Sequence, residues 1–307
     1  MKVMKTKKNL SKKKTWDYVF YAGLILLPIG HFFVFYLGVN INSFIMLFQR
    51  YDVNTYQYVF NGLNNFEQFF KQLKETLIIN AFKNALIGWL FITVLKVPLG
   101  VFFSNYIYKK AYGSTFFKIV LFFPSIVPSV VLTMLFRHVT DGIVPEIIRY
   151  VNPNAQYLGF VGVPTKAFTA MMTYSMITGF GTNVLLYVGA MTAIPDSVVE
   201  AANLDGCTGM REFWYITLPY IWPTFTTFFV MQLGGIFSAQ YELYTFYGAK
   251  AFDESYTVGY YLFRSAQWAT SVQYPAIATF GVCLTVIIAP LTLFVRWAMN
   301  KFGYSVS

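Results

Sequence analysis

Long apolar segments alternate with shorter polar ones along most of this chain. Six apolar segments of about 20 residues are long enough to cross a hydrocarbon core of about 30 Å as α-helices. A backbone in lipid must satisfy its hydrogen bonds internally, so these segments are predicted to be helices rather than strands. The predicted spans are residues 18–39, 85–108, 116–136, 168–191, 220–240 and 276–298.

The composition supports a membrane protein. The chain has 307 residues, of which 56% are hydrophobic and only 12% are charged. Soluble domains contain about 25% charged residues. The predicted fold class is therefore an all-α polytopic membrane protein with about six transmembrane helices.

The basic residues predict the orientation of the spans. Seven of the 23 Lys and Arg residues lie in the first fourteen positions, directly before the first span. Short cytoplasmic segments are enriched in Lys and Arg, so residues 1–17 are predicted to be a cytoplasmic tail. Residues 18–83 then form the first span and an extracellular loop, and the C-terminus is also cytoplasmic. No folded basic surface follows the tail, so nucleic-acid binding is not expected.

The sequence contains no motif for chemistry of its own. No Walker A phosphate loop occurs, and the dipeptide Gly-Lys is absent from the sequence. No H-E-x-x-H, G-x-S-x-G or paired-cysteine motif occurs either. The chain is predicted not to be an enzyme and to hold no metal or cofactor, and any energy that drives its function is expected to come from another chain.

A polar segment, residues 195–219, separates the fourth and fifth spans. Pro195 suits the first turn of a helix, where its missing N–H is not needed. Gly206 can adopt the left-handed conformation that ends a helix. A second short helix is predicted over residues 210–217. The orientation places this segment in the cytoplasm, where a short rigid helix can meet a soluble partner.

The segment resembles the E-A-A loop of the membrane subunits of binding-protein-dependent ATP-binding-cassette (ABC) importers. The motif residues are Glu200-Ala201-Ala202, Asp205-Gly206 and Leu218-Pro219. Residues 84–303 as a whole resemble the carbohydrate branch of that family, which includes the maltose and glycerol-3-phosphate permeases. Supporting matches are Asn84-Ala85-Leu86, Val97-Pro98-Leu99-Gly100, Phe123-Pro124, Pro128, Gly142-Ile143-Val144, Ile194-Pro195 and residues 292–303.

The resemblance implies a coupling role and a set of partners. In the family this helix docks in a groove of an ATPase subunit, a role that passes to Glu200, Ala201, Ala202, Asp205 and Gly206. The implied partners are a second permease subunit in a heterodimer, two ATPase subunits that hold ATP and Mg²⁺, an extracellular solute-binding protein and the lipid bilayer. The implied location is the cytoplasmic membrane of a bacterium, and the implied solute is a carbohydrate, in particular an oligosaccharide. The plain alternative is an ordinary structured inner loop.

Polar residues inside the spans are candidates for the solute path. Amides and aromatic rings suit sugar hydroxyls and sugar faces, and polar side chains are costly in lipid, so they should face the interior. Gln232 and Gln240 are eight residues apart and are predicted on one side of the fifth span. Each of these residues can instead form an ordinary interhelical hydrogen bond. The candidates are Lys96, Tyr174, Thr178, Asn183, Gln232 and Gln240.

Two features of the spans need an explanation. Lys96 lies near the middle of the second span, where it can snorkel, line a water-filled path or meet a carboxylate of a partner chain. A shifted span boundary is the alternative. Pro124 and Pro128 should bend or open the third span.

Three other functions remain open. A permease of the same architecture could import a phosphate ester, a peptide or an amino acid. A passive channel would conduct without an ATPase. A polytopic membrane enzyme would need clusters of His, Asp or Glu in the spans, and the spans lack them.

Overall fold

The chain is mainly helical and divides into two compact units. A computed structural model describes residues 2–155 and 157–304, with side chains from Asp17 onward. The side chains of the lysine-rich tail at residues 2–14 therefore lie outside the described residues. The first unit comprises Met1–Phe69 and Ala269–Val282, and the second comprises Phe70–Trp268 and Cys283–Ser307.

The first unit begins with one long helix. Helix α1 (Lys2–His31), a π-helical stretch (Phe32–Gly38) and α2 (Val39–Met46) follow one another without a break. The part from Asp17 to Met46 is apolar enough to span a membrane, and none of its most apolar stretch is buried within the described chain. This surface therefore suits lipid or another subunit.

A β-hairpin follows, which the sequence pattern did not predict. Strands β1 (Gln49–Asp52) and β2 (Gln57–Phe60) pair antiparallel. Helix α3 (Asn64–Gln72) comes next, and its Asn65 amide donates to the carbonyls of Leu47 and Gln49 at 2.9 and 2.7 Å. These bonds fix the start of α3 against the entry to the hairpin.

Residues 66–77 do not form one helix, although their apolar residues recur at helical spacing. Helix α3 ends at Gln72, and the next helix begins at Thr76. The backbone of Glu75 is extended, with ψ of 135°, and this interrupts the helical hydrogen bonds. Apolar spacing alone did not reveal the break.

The second unit consists of helices, several of them joined through π-helical stretches. The last helix, α15, starts in the first unit and ends in the second. The elements are α4 (Thr76–Leu90), a π-helical stretch (Phe91–Lys96), α5 (Val97–Tyr108), α6 (Ser114–Ile126), α7 (Ser129–His138), a π-helical stretch (Val139–Ile143), α8 (Val144–Val151), α9 (Pro164–Met191), α10 (Asp196–Leu204), α11 (Met210–Glu212), a π-helical stretch (Phe213–Thr217), α12 (Leu218–Gly234), α13 (Leu243–Tyr247), a 3₁₀ turn (Asp253–Ser255), α14 (Val258–Gln267) and α15 (Tyr274–Phe302).

Three unbroken helical stretches of the described chain are long and apolar enough to cross a membrane. They are Asp17–Met46, Thr76–Tyr108 and Tyr274–Phe302, and they overlap the first, second and sixth predicted spans. The count rises to five if each of two bent helix pairs forms one span. The all-α polytopic class is confirmed in outline, whereas six simple crossings are not found among the described residues.

The third predicted span is sharply bent. The stretches Ser114–Ile126 and Ser129–Val151 meet at 105°. The bend falls at Pro128, whose ψ is 135°, while Pro124 lies inside α6. A bend from these prolines was expected, but a single helix over residues 116–136 is wrong, because Pro128 pushes the residue before it into extended backbone.

The fifth predicted span is shorter than expected. Helix α12 ends at Gly234, and Gln240 lies in the irregular segment that follows. Gln232 and Gln240 are therefore not on one helical face, which corrects the prediction made from their spacing. The apolar residues after Gly234 continued the hydropathy pattern, and this pattern does not show where a helix stops.

One apolar core of the second unit joins α5, α9 and the continuous helical stretch at residues 210–234. Partly buried aromatic residues, among them Phe225 and Phe228, cover it. The helical stretch at residues 210–234 is thereby anchored to both α5 and α9. The core residues are Val97, Val101, Tyr187, Met191, Phe213 and Ile221.

Candidate functional site

The polar segment at residues 195–219 forms a helix that turns away from α9. Helix α10 lies at 78° to α9, after a break of four residues. Pro195 directly precedes α10 with an extended ψ of 135°, and Asp196 occupies the first turn, where a carboxylate is favoured by the helix dipole. Pro195 was expected inside the first turn and instead precedes it. A helix at this angle to α9 can present its side to another protein.

The end of α10 follows the sequence expectation. Gly206 has a φ of +71°, in the left-handed region that favours glycine, and Gly209 has a φ of +61°. The Cys207 N–H donates to the carbonyl of Ala202 at 2.8 Å, which satisfies one of the last carbonyls of the helix. The turn back towards α12 is therefore well defined.

The predicted coupling residues have two different environments. Glu200, Ala201, Asp205 and Gly206 are exposed, whereas Ala202 is buried with 7% of its surface exposed. Small Ala202 thus packs towards the body of the protein and the others face outward. Leu204, between them, is 89% exposed, an unusual position for a leucine that suits contact with a partner.

A buried ion pair near this segment was not anticipated from the sequence. The Lys109 ammonium donates to the Glu212 carboxylate, and the Glu212 side chain is only 3% exposed. Lys109 directly follows α5, and Glu212 ends α11. Glu212 is the only acidic residue between Asp205 and Gln240, so an isolated acid in an apolar stretch was the available signal.

A polar cavity of about 470 Å³ lies between α9 and the segment after α12. The cavity presents hydroxyl, amide, phenol and carboxylate groups, which suits a polar solute. Two predicted path residues, Thr178 and Gln240, line it, whereas Tyr241, Glu242 and Thr245 were not predicted. The full lining is Ser175, Thr178, Gly179, Gln240, Tyr241, Glu242 and Thr245.

Tyr241 and Glu242 give the cavity an unusual backbone. Their φ angles are +49° and +63°, both in the left-handed region that residues other than glycine rarely adopt. Such strain persists only where the surroundings fix it, and it clusters at functional sites. The Glu242 carboxylate accepts a hydrogen bond from the Thr245 hydroxyl at 2.6 Å. Burial raises the pKa of Tyr241 to about 12, so this phenol stays a neutral hydrogen-bond donor.

Lys96 lies behind one wall of this cavity. Its ammonium donates to the carbonyl of Ser175 at 2.8 Å, and only 5% of the residue is exposed. A Cβ placed on Gly179 would lie 2.6 Å from Lys96 Nζ. Lys96 therefore neither snorkels nor meets a carboxylate within the described chain; it reaches α9 at two residues that line the cavity.

The remaining path candidates lie apart from the cavity lining. Tyr174 is 2% exposed, and its ring packs edge-on against Phe136 and Phe246. Asn183 is partly buried with its Cβ near Gly100. Gln232 is partly buried, and its Oε1 has no hydrogen-bond partner among the described residues. These three positions suit packing within the chain or contact with another subunit.

Residues 96–306, which contain this site, match a family of membrane transport subunits. The family model for the inner membrane component of binding-protein-dependent transport systems matches residues 96–306. This range contains α10, the Lys109–Glu212 pair and the polar cavity. The chain belongs to this family.

Several curated relatives are similar over most of their length. The chain is 24% identical over 275 residues to the multiple sugar-binding transport system permease protein MsmF of Streptococcus mutans, covering 86% of this chain and 90% of the relative. It is 27% identical over 253 residues to the arabinooligosaccharides transport system permease protein AraP of Bacillus subtilis, covering 80% and 72%. It is 24% identical over 178 residues to the sn-glycerol-3-phosphate transport system permease protein UgpA of Rhizobium meliloti, covering 58% and 60%.

Solved structures share the fold. One chain of a bacterial ABC transporter involved in the import of the acidic polysaccharide alginate superposes with a TM-score of 0.75 at 20% identity, covering 95% of this chain and 99% of that one. A chain of the alginate transporter in complex with its alginate pentasaccharide-bound periplasmic protein gives a TM-score of 0.76 at 19% identity, covering 96% and 99%. At this identity the likeness establishes the fold alone.

Proposed function

We propose that this chain is the permease subunit of an ATP-driven importer that carries a carbohydrate, in particular a neutral oligosaccharide, across the cytoplasmic membrane of a bacterium. The single observation that supports this most is an exposed E-A-A helix, turned 78° from α9, in a chain of the binding-protein-dependent transport family. Relatives named for sugar transport, MsmF and AraP, support the solute class.

The proposal assigns α10 the role of coupling helix. Glu200, Ala201, Asp205 and Gly206 face outward and meet an ATPase subunit, while Ala202 holds the helix against the body of the permease. Two ATPase subunits bind ATP and Mg²⁺, since this chain lacks a phosphate loop. A second permease subunit and an extracellular solute-binding protein complete the importer.

The proposal assigns the polar cavity to the solute path. The Gln240 amide, the Tyr241 phenol and the Thr178 and Thr245 hydroxyls offer donors and acceptors to sugar hydroxyls. The exposed carboxylate of Glu242 repels an anionic solute, because a binding site that carries a negative charge disfavours ligands of the same charge sign. This charge favours a neutral sugar over a phosphate ester or an acidic polysaccharide.

The test begins with purification of the tagged chain from its native membrane. We expect an ATPase and a second permease to co-purify, and the reconstituted complex to take up neutral oligosaccharides in an ATP-dependent manner. Excess glycerol phosphate and uronate oligosaccharides should compete poorly. A complex without a nucleotide-hydrolysing subunit, or one that transports only peptides or anions, contradicts the proposal.

Charge reversal at Glu200 tests the coupling role. Like charges facing each other across an interface cost several kcal/mol, so Glu200→Lys should lower uptake by more than tenfold while the chain still inserts. Lys118→Glu is the matched control, because Lys118 is exposed and lies at the cytoplasmic end of the third predicted span. It should transport normally. Unchanged uptake by Glu200→Lys would favour a passive channel.

A further inference from the structure

The Lys109–Glu212 pair joins two elements that are far apart in the sequence. Lys109 follows the last residue of α5. Glu212 lies just after the turn that ends α10, within residues 195–219, which are called the coupling segment below. Glu212 and Phe213 are both buried, and Phe213 packs in the core with Val97 and Val101 of α5. The coupling segment is therefore attached to α5 by an ionic contact and by several apolar contacts, which include those of Phe102 with Phe213 and Trp214.

Glu212 depends on the Lys109 ammonium as its partner. A buried carboxylate is tolerated only when it is paired, and removal of Lys109 would leave the Glu212 charge buried and unpaired. The Lys109 side chain is 34% exposed, and it lies over the ring of Tyr108 at 5.5 Å from the centroid. Lys109 thus reaches from the protein surface to Glu212, and the pair holds α11 against the end of α5.

The same helical stretch contacts the cavity wall at its other end. Lys96 lies thirteen residues before Lys109, about 20 Å away at 1.5 Å per residue. Its ammonium donates to the carbonyl of Ser175 at 2.8 Å and lies close to Gly179. Ser175 and Gly179 both line the polar cavity.

Between these two lysines, α5 is fixed along α9. The Ser104 hydroxyl donates to the carbonyl of Val184 at 2.9 Å, and Val97 and Val101 pack with Tyr187 and Met191. Helix α5 therefore spans the distance from the coupling segment to the cavity as one tightly packed element.

We infer that Lys109 and Glu212 are positioning residues that deliver displacement of the coupling segment to α5, and through Lys96 to the cavity wall. This inference rests on the proposed function, since it requires an ATPase that moves α10. Loss of the pair leaves the ATPase docked on α10 but separates ATP hydrolysis from solute movement.

The test uses the complete importer, purified with its native partners and reconstituted in proteoliposomes. Lys109→Met and Glu212→Gln are compared with the swap Lys109→Glu/Glu212→Lys and with the conservative variant Lys109→Arg. Lys118→Met, which removes an exposed lysine on the same predicted side, is the control. Three quantities are measured: the amount of bound ATPase, the rate of ATP hydrolysis and the solute taken up per ATP hydrolysed.

Each single variant is expected to retain bound ATPase and ATP hydrolysis but to lower uptake per ATP by about five- to tenfold. The swap and Lys109→Arg should recover most of the loss, and Lys118→Met should equal the wild type. If the single variants do not assemble, recovery of assembly and of uptake per ATP by the swap supports the pair.

Unchanged uptake per ATP in the single variants overturns the inference. Failure of both the swap and Lys109→Arg to recover uptake also overturns it, as does a loss of uptake that only follows the amount of assembled complex. A wild-type complex without an ATPase instead contradicts the proposed function, so the two failures are distinguishable.

Discussion

At the scale of single residues, Lys96 gives the clearest link between sequence and structure. A cation in the middle of an apolar stretch signalled an interior role, and the structure places its ammonium on the carbonyl of Ser175. The sequence could not name this partner, because Ser175 lies 79 residues away and on another helix. Gly179 leaves the space that the ammonium occupies.

Substitution of Gly179 tests this arrangement. A methyl group there would lie 2.6 Å from Lys96 Nζ, so Gly179→Ala should shift the ammonium, which ends a flexible side chain, and weaken its hydrogen bond to Ser175. A hydrogen bond from a charged donor contributes about 1.5–3 kcal/mol when it is lost entirely, so we expect uptake by the complete importer to fall severalfold, by up to about tenfold.

Gly189→Ala on the same helix is the matched control. No atom lies within 4 Å of a Cβ added there, so the change should leave uptake intact. Alanine in place of a helical glycine should stabilise the chain by about 0.5–1 kcal/mol, measured by thermal denaturation in detergent. Equal uptake by both variants would show that the position of Lys96 Nζ does not matter for transport.

At the scale of elements, the short helix α10 was predicted most completely. Its start near Pro195, its end at Gly206 and its exposed acidic side all follow from local sequence signals. The long apolar elements were predicted less well, because hydropathy reports burial in lipid or protein and not the continuity of a helix. The break at Pro128 and the early end at Gly234 are the consequences.

The left-handed backbone of Gly206 yields a prediction at this scale. Gly206→Val places a β-branched side chain at a φ of +71°, so the turn that ends α10 should be distorted. We expect less ATPase to co-purify with this variant and uptake to fall by at least fivefold, since left-handed backbone costs about 1–2 kcal/mol for such residues.

Gly206→Asn separates backbone from side-chain effects. Asparagine tolerates the left-handed region, and no atom lies within 4 Å of a Cβ at this position. Gly206→Asn should therefore keep most ATPase binding and uptake. A loss as large as that of Gly206→Val would mean that the partner contacts Gly206 itself.

At the scale of the whole molecule, the chain is one part of a larger assembly. The stretch Asp17–Met46 is apolar and unburied within the described chain, and α10 presents exposed residues, among them Leu204. Both surfaces suit contact with lipid or with other subunits. The solute path is therefore expected to be complete only when the second permease is present.

Transport should accordingly require the full set of partners. Proteoliposomes that contain this chain with its partner permease, but without the ATPase subunits, should show no solute flux above that of empty liposomes. Addition of ATPase subunits, ATP, Mg²⁺ and the solute-binding protein should start uptake. Solute flux through the two permeases alone would identify a channel and contradict an ATP-driven importer.

The sequence by itself determined the class of protein and the position of helix α10, the proposed coupling helix. Apolar length, the basic tail and the E-A-A residues are each contained in a short stretch of sequence, so they can be recognised without knowledge of the fold. The tertiary structure alone decided which residues come together: Lys96 with the Ser175 carbonyl, Lys109 with Glu212, and Gln240 and Thr178 in the lining of one cavity. These residues lie in elements far apart in the sequence, and their placement depends on helix breaks and packing angles that hydropathy does not encode.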